Sequence, residues 1–178
     1  MKESIVIGSR SSKLALIQAE WVLNKLKEAN PGLKVSLAKI TTKGDRDGGT
    51  PLARLAGQGV FVKELEVALL KDEIDLAVHS LKDMPTEISR DFSLAAVTPR
   101  ADPRDVLVSR AGKLAELVSG SIIGTGSFRR AVQLLAYRPD LKVREIRGNI
   151  DTRLRKVSNG EFDGVILAAA ALIRLGWE

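Results

Sequence analysis

Short apolar, β-branched runs alternate with longer stretches whose apolar residues recur every three to four positions, the pattern of an α/β chain with a largely parallel sheet. Residues 4–9 read as a strand, followed by Ser11 and Ser12 as N-cap candidates and by Leu14, Ile17, Trp21 and Leu26 at helical spacing. That helix is predicted to end near Asn30-Pro31-Gly32, and residues 34–41 read as a second strand. A polar, glycine-rich stretch over 43–59 is expected to be a loop, leading to a helix with Phe61, Leu65, Ala68 and Leu69 inward. Residues 76–79 form a short buried strand in this reading, and 93–97 another.

Two prolines and alternating charge in Thr98-Pro99-Arg100-Ala101-Asp102-Pro103-Arg104 suit a linker, which divides the chain into lobes 1–98 and 99–178. Beyond it the alternation resumes: strand 122–124, helix 127–138, strand 142–146, helix 150–159, strand 164–167 and helix 169–175. Phe128, Val132 and Leu135 mark one helix face, and Ile150, Leu154 and Val157 another. No internal repeat or low-complexity tract is apparent.

Composition narrows the function. Hydrophobic residues make up 44% of 178 residues, enough for a packed core. The longest apolar run, 165–173, is too short for a membrane span of about 20 residues, and the N-terminus lacks signal-peptide character. With no cysteine for disulfides, a cytoplasmic protein is expected. The net charge of +6 is unevenly placed. Residues 1–98 carry 14 Lys and Arg against 13 Asp and Glu, whereas 99–178 carry 14 against 9, and eleven of the fifteen arginines lie in that second part. Arginine pairs bidentately with carboxylate or phosphate, so discrete anionic groups are the expected ligands. At 4% aromatic residues, the chain lacks the stacking platforms of single-stranded nucleic acid binders, and no nucleic acid partner is expected.

Three constellations could carry chemistry. Gly124-Thr125-Gly126-Ser127-Phe128-Arg129-Arg130 joins a strand to a helix, so backbone N–H groups, two hydroxyls and two guanidiniums can converge on one anion. Equally, the glycines make a tight turn and Ser127 caps the helix; the arginine pair at a helix start, which opposes the helix dipole, favours an anion. Arg147-Gly148-Asn149-Ile150-Asp151-Thr152-Arg153 repeats the arrangement, and Arg10 follows the first strand, as an anion contact or as a surface residue. Finally, His79-Ser80-Leu81-Lys82-Asp83-Met84-Pro85 brings imidazole, hydroxyl, ammonium and carboxylate to the end of a buried strand. His79 reads either as a buried, backbone-bonded histidine or as a ligand contact, and Asp83 as a turn residue or a catalytic one. One histidine and no cysteine give no metal site.

In these stretches, together with Ile7-Gly8-Ser9-Arg10, Phe61-Val62-Lys63-Glu64-Leu65-Glu66, Asp102-Pro103-Arg104-Asp105, Arg138-Pro139-Asp140-Leu141 and Leu172-Ile173-Arg174-Leu175-Gly176, the chain resembles the porphobilinogen deaminase (hydroxymethylbilane synthase) family over essentially its whole length. The resemblance implies two doubly wound α/β lobes like those of a type II periplasmic binding protein, with a cleft between them. It implies a transferase of tetrapyrrole (haem) biosynthesis that links four porphobilinogen molecules, with loss of ammonia, on a covalently held dipyrromethane cofactor. Each pyrrole bears an acetate and a propionate, which suits an arginine-rich site. By motif position, Asp83 would be catalytic, and Arg10, Ser12, Lys82, Thr125, Ser127, Arg129, Arg130, Arg147, Arg153 and Arg174 would bind cofactor or the growing acidic polypyrrole.

Three departures from the family pattern stand out. The cysteine that tethers the cofactor is absent, Gln58 stands where the family commonly has Lys, and Gly126 where it commonly has Ser. The resemblance also implies that the first lobe lacks a return segment and leaves the completeness of the second open. The expectation is an N-terminal portion of the enzyme, inactive alone and a candidate to combine with a complementary C-terminal fragment. The alternative is a non-catalytic two-lobed binding protein for a small organic anion.

Overall fold

The computed structural model describes residues 2–46 and 61–177, and the chain divides into two units, Met1–Pro99 and Arg100–Glu178. No helix among the described residues is long and apolar enough to cross a membrane.

The first unit is built on a three-stranded parallel sheet in the order β2-β1-β3, with β1 Ser4–Arg10, β2 Lys34–Ile40 and β3 Leu76–Ala77. Helix α1, Lys13–Ala29, starts where the Ser12 hydroxyl accepts from the Ala15 N–H and packs on β1 and β2. Its fully buried residue is Ala19, while Trp21 remains 44% exposed, so the helix lies rotated from the face that Leu14, Ile17 and Trp21 suggest. A small side chain facing the sheet permits a close approach. A short helix α2, Lys43–Arg46, occupies the start of the expected loop; the rest of that stretch, including Gln58, lies outside the described residues. Helix α3, Lys63–Leu70, buries Leu65 and Ala68.

Residues 93–97 do not form the expected strand: Leu94 and Val97 are exposed, and no described strand pairs with them. β-branched and apolar residues favour a strand only where a ladder partner and a covered face exist.

The second unit has a four-stranded mixed sheet in the order β4-β7-β5-β6. Its strands are β4 Asp105–Ser109, β5 Ile122–Gly124, β6 Lys142–Arg144 and β7 Gly164–Ala168, with α4 Phe128–Tyr137, α5 Ile150–Ser158 and α6 Ala169–Leu175 between and after them. Alternation along the strands splits the core in two. Val106, Val108, Ile122, Val165 and Leu167 pack with Ile146, Val157 and Phe162, while Leu107, Ile123 and Ile166 pack with Leu117, Leu134 and Leu141. Helices therefore cover both faces, as in a doubly wound sheet. β4, which the sequence reading missed, runs antiparallel to β7.

Helix α4 also differs from expectation. Phe128 is 85% exposed and Val132 and Leu135 are exposed too, whereas Leu134 is buried. The inward side of α4 is marked by Leu134 and Arg130, and Arg138 follows as its C-cap. Arg130 reaches the Ile166 carbonyl, and Arg138 donates to the Leu114 and Leu117 carbonyls at 2.6 and 2.9 Å. Arginines whose heads find acceptors take an inward face that a hydrophobic count would deny them.

Although no repeat is visible in the sequence, both units anchor a central strand alike. The Asp75 carboxylate accepts from the Val6 N–H, and the Asp163 carboxylate from the Ile122 N–H, each at 2.7 Å. The N–H of each aspartate donates to the carbonyl of the same partner residue, at 2.8 and 2.9 Å.

Candidate functional site

In the first unit, β1 delivers Arg10 to the C-terminal edge of the parallel strands, where open α/β sheets gather their ligands. The adjacent loop is pinned there. Val78 N–H donates to the Gly8 carbonyl at 3.0 Å, the Ser80 hydroxyl donates to Gln18 Oε1 on α1 at 3.0 Å, and a 3-10 turn over Leu81–Asp83 closes through Asp83 N–H to the Ser80 carbonyl. The Asp83 carboxylate thus stands 3.9 Å from Arg10 Nη1, within charge attraction but beyond a hydrogen bond.

Arg10 is held on its other sides. Its Nη2 and Nε donate to Asp45 at 2.5 and 3.3 Å, and its guanidinium lies over the Phe61 ring, 4.0 Å from the centroid. Asp45 is fixed in turn by the N–H and hydroxyl of Thr42 at 3.2 and 2.8 Å. Burial opposes ionisation of Asp45, but the hydrogen bonds from Arg10 and Thr42 outweigh it and hold the carboxyl below its usual range. For His79, burial lowers the pKa, Asp83 counters and Arg10 adds to the lowering, so the imidazole is neutral at pH 7. Lys82 is exposed, and Ser12 acts as the N-cap of α1.

Asp45 and Phe61 were not foreseen as site residues. A signal existed for Asp45: Thr42 and Asp45 stand at capping-box spacing, and Asp45 N–H donates back to the Thr42 hydroxyl at 3.3 Å. For Phe61 the sequence carried only an apolar residue before a helix.

In the second unit the two strand-to-helix junctions, after β5 and after β6, bring four arginines together. Thr125 is buried and its hydroxyl accepts from the Ser127 N–H at 3.1 Å, while Ser127 caps α4 by accepting from the Arg130 N–H at 3.5 Å. Asp105, at the start of β4, binds both arginines that follow: Arg129 Nη2 at 2.9 Å, and Arg130 Nε and Nη2 at 3.0 and 2.7 Å. Burial raises the Asp105 pKa, but the hydrogen bonds from Arg130 and Arg129 more than offset it, and the carboxyl stays low.

Behind this pair lie Arg147 and Arg153. Arg153 Nε donates to the Gly148 carbonyl at 2.8 Å, and its pKa is lowered by burial and then by the charges of Arg130 and Arg147. Gly148 permits the turn with φ +101°, and a Cβ there would meet Thr152 at 2.8 Å. Among the described residues, Arg147 Nη1 is buried with no hydrogen-bond partner. Arg174, on α6, makes no hydrogen bond or ion pair among the described residues.

Four guanidiniums beside one bonded carboxylate, with a buried donor unmet, fit a ligand that brings carboxylates of its own. Arg129 is engaged through Nη2 by Asp105 and through Nη1 by Gln133 at 2.9 Å, and Arg130 is engaged by Asp105, so the unmet capacity lies with Arg147 and Arg153.

Comparison with known proteins bears on both units. Residues 5–178 match the family model described as porphobilinogen deaminase, dipyromethane cofactor binding domain. The chain is 55% identical over 174 residues to a porphobilinogen deaminase of Halalkalibacterium halodurans, covering 97% of this chain and 56% of that protein. Against the Bacillus subtilis porphobilinogen deaminase it is 50% identical over 179 residues, covering 100% and 57%. It therefore spans somewhat over half the length of these relatives. Among solved structures, the methionine binding protein MetQ superposes with a TM-score of 0.54 at 19% identity, over 98% of this chain and 74% of that one. The Bordetella pertussis BvgS VFT2 domain (a double mutant) gives 0.54 at 16% identity, over 96% and 68%. These two likenesses concern the fold alone, that of the two-lobed periplasmic binding proteins.

Proposed function

Because the chain belongs to the porphobilinogen deaminase family, we propose that it is the substrate- and cofactor-binding part of a hydroxymethylbilane synthase, with Asp83 as its catalytic carboxylate. The observation that carries this reading is the unmet guanidinium capacity around Arg147, with Nη1 buried and unpartnered while Arg130 and Arg153 lie close by. An acidic pyrrole, with its acetate and propionate, supplies what these arginines lack.

Dipyrromethane, when bound, supplies the terminal pyrrole carbon to which the next unit is joined. Arg147, Arg153 and Arg129 would hold its carboxylates, and Arg174, without a hydrogen bond or ion pair among the described residues, would add a further contact. Its covalent anchor is not among these 178 residues, which contain no cysteine. Asp83 has the right chemistry for the deaminating step. Loss of ammonia from the aminomethyl group of porphobilinogen leaves a cationic pyrrole, which a fixed carboxylate stabilises while accepting the pyrrole N–H. The same carboxylate can take the ring proton released when the new carbon–carbon bond forms. Arg10 Nη1, close to Asp83 but not bonded to it, is placed to receive a substrate carboxylate.

The test is activity by complementation. The chain alone is expected to release no ammonia from porphobilinogen, and activity is expected on adding a separately made C-terminal remainder of a relative. In a complete enzyme, Asp83→Asn is expected to lower turnover at least a hundredfold, the range of general acid–base contributions. Turnover near normal would remove Asp83 from the chemistry. Binding of porphobilinogen with no activity in any combination would instead favour a binding protein for a small organic anion.

A further inference from the structure

We infer that Asp45 is a positioning residue whose work is to keep Arg10 off Asp83. The inference takes Asp83 as the reactive carboxylate, the reading proposed above, but its geometry is independent of that chemistry.

Arg10 has two edges through which it can bind a carboxylate bidentately, and two aspartates lie within reach of it. Asp45 takes the Nε and Nη2 edge, with both atoms bonded to it. Phe61 takes one face of the guanidinium. A Cβ on Gly44 would come within 3 Å of the Phe61 ring, so that ring is itself confined from α2. Arg10 can then present only Nη1 towards Asp83, and Asp45, tied to Thr42, sets where it stops. The resulting 3.9 Å gap leaves the Asp83 oxygens free to accept from a ligand. Side-chain exposures agree: Asp45 is 8% exposed and Asp83 26%, so the aspartate that restrains is buried and the one kept free is open to a ligand.

Without the Asp45 charge, a largely buried guanidinium beside a single remaining carboxylate closes on it. Asp83 would then be spent as a salt-bridge partner. Asp45 is thus expected to matter for catalysis without touching substrate.

His79 offers a readout that does not depend on activity. It is the only histidine, so its ring signals are unambiguous in NMR, and it senses both Asp83 and Arg10. The experiment is a double-mutant cycle on the His79 titration in this chain, with Asp45→Asn, Asp83→Asn and both together. If Arg10 swings onto Asp83, the single Asp45→Asn variant titrates at lower pH than the parent. That shift is expected to be largely lost in the Asp83→Asn background, where there is no carboxylate to close on. Full persistence of the shift there would mean a direct charge effect and would overturn the inference. Thr42→Val, which frees Asp45 without changing charge, is expected to act in the same direction more weakly, and Asp45→Glu to restore the parent titration. These two variants keep the question answerable if Asp45→Asn does not fold. Porphobilinogen binding, measured by calorimetry, is expected to weaken about tenfold in Asp45→Asn, from loss of one charge-assisted hydrogen bond at Asp83. Unchanged affinity together with an additive cycle would dispose of the positioning role, whereas an inactive Asp83 with a non-additive cycle would dispose only of the proposed chemistry.

Discussion

Replacing Arg147 with methionine should make the second unit more stable and a poorer binder of pyrrole carboxylates. Methionine keeps most of the arginine stem, so the change removes chiefly the guanidinium. In the folded chain that group has a buried Nη1 with no acceptor among the described residues, and the neighbouring Arg153 has its pKa lowered by burial and then by the charges of Arg130 and Arg147. An unmet buried donor costs about 1–3 kcal/mol, and the mutual repulsion adds to this. Taking ~1 kcal/mol as a conservative gain, the melting temperature should rise by about 2–4 °C for a chain of this size. Binding should move the other way. A charge-assisted hydrogen bond to a ligand carboxylate contributes about 1.5–3 kcal/mol, so porphobilinogen affinity should fall by roughly 10- to 100-fold. The assays are thermal denaturation followed by circular dichroism and calorimetric titration, each at two salt concentrations. The part of the stability gain that comes from repulsion should shrink at high salt. A lower melting temperature with unchanged affinity would refute the reasoning, since it would make Arg147 a structural residue with partners of its own.

Gly148→Ala should destabilise the second unit by at least about 1–2 kcal/mol, the cost of a left-handed backbone for a residue with a Cβ, with the contact to Thr152 added; urea denaturation reads this. Ser127→Ala should cost about 1 kcal/mol of stability as loss of the α4 N-cap. If Ser127 is only a cap, porphobilinogen affinity should be unchanged in that variant; a weaker complex would show its hydroxyl in ligand contact. Stability should also depend on pH with a definite sign. Asp45 and Asp105 have depressed pKa values in the folded chain, so their contribution is complete above the unfolded carboxylate value of about 3.9 and is lost as pH falls through the folded values. His79 acts in the same sense at higher pH. Its folded pKa lies below the unfolded value of about 6.5, so its contribution is complete above that value and declines below it until the folded pKa is passed. Denaturation midpoints measured from pH 3 to pH 8 should therefore rise with pH in both windows, and a flat profile would contradict both assignments.

The sequence by itself determined the alternation of strands and helices, and with it the sheet edges where the site residues stand. Strands β5 and β7 lie where short apolar runs place them, because a strand covered on both faces is apolar at successive positions, and helix α6 follows directly after β7 as expected. Ser12 and Ser127 were legible as caps for the same local reason: a helix start needs an acceptor within the next turn. The arginine motifs and the His79 to Pro85 segment carried the family, and the likeness to porphobilinogen deaminases bears that out.

What the tertiary structure decided was which neighbours each group meets. The apolar residues 93–97 remain exposed because strand formation depends on a partner that local sequence does not describe. Phe128, Val132 and Leu135 are exposed while Leu134 takes the buried side of α4, and Arg130 also reaches a sheet carbonyl at Ile166. Asp45 lies 35 residues from Arg10 and Asp105 lies 25 from Arg130, so neither pairing has a local period to betray it. Charge pairs act through space over a few ångströms and leave no regular spacing along the chain. The sequence could therefore supply the arginines and Asp83, while only the fold could assign which arginines are already held by an aspartate and which are not.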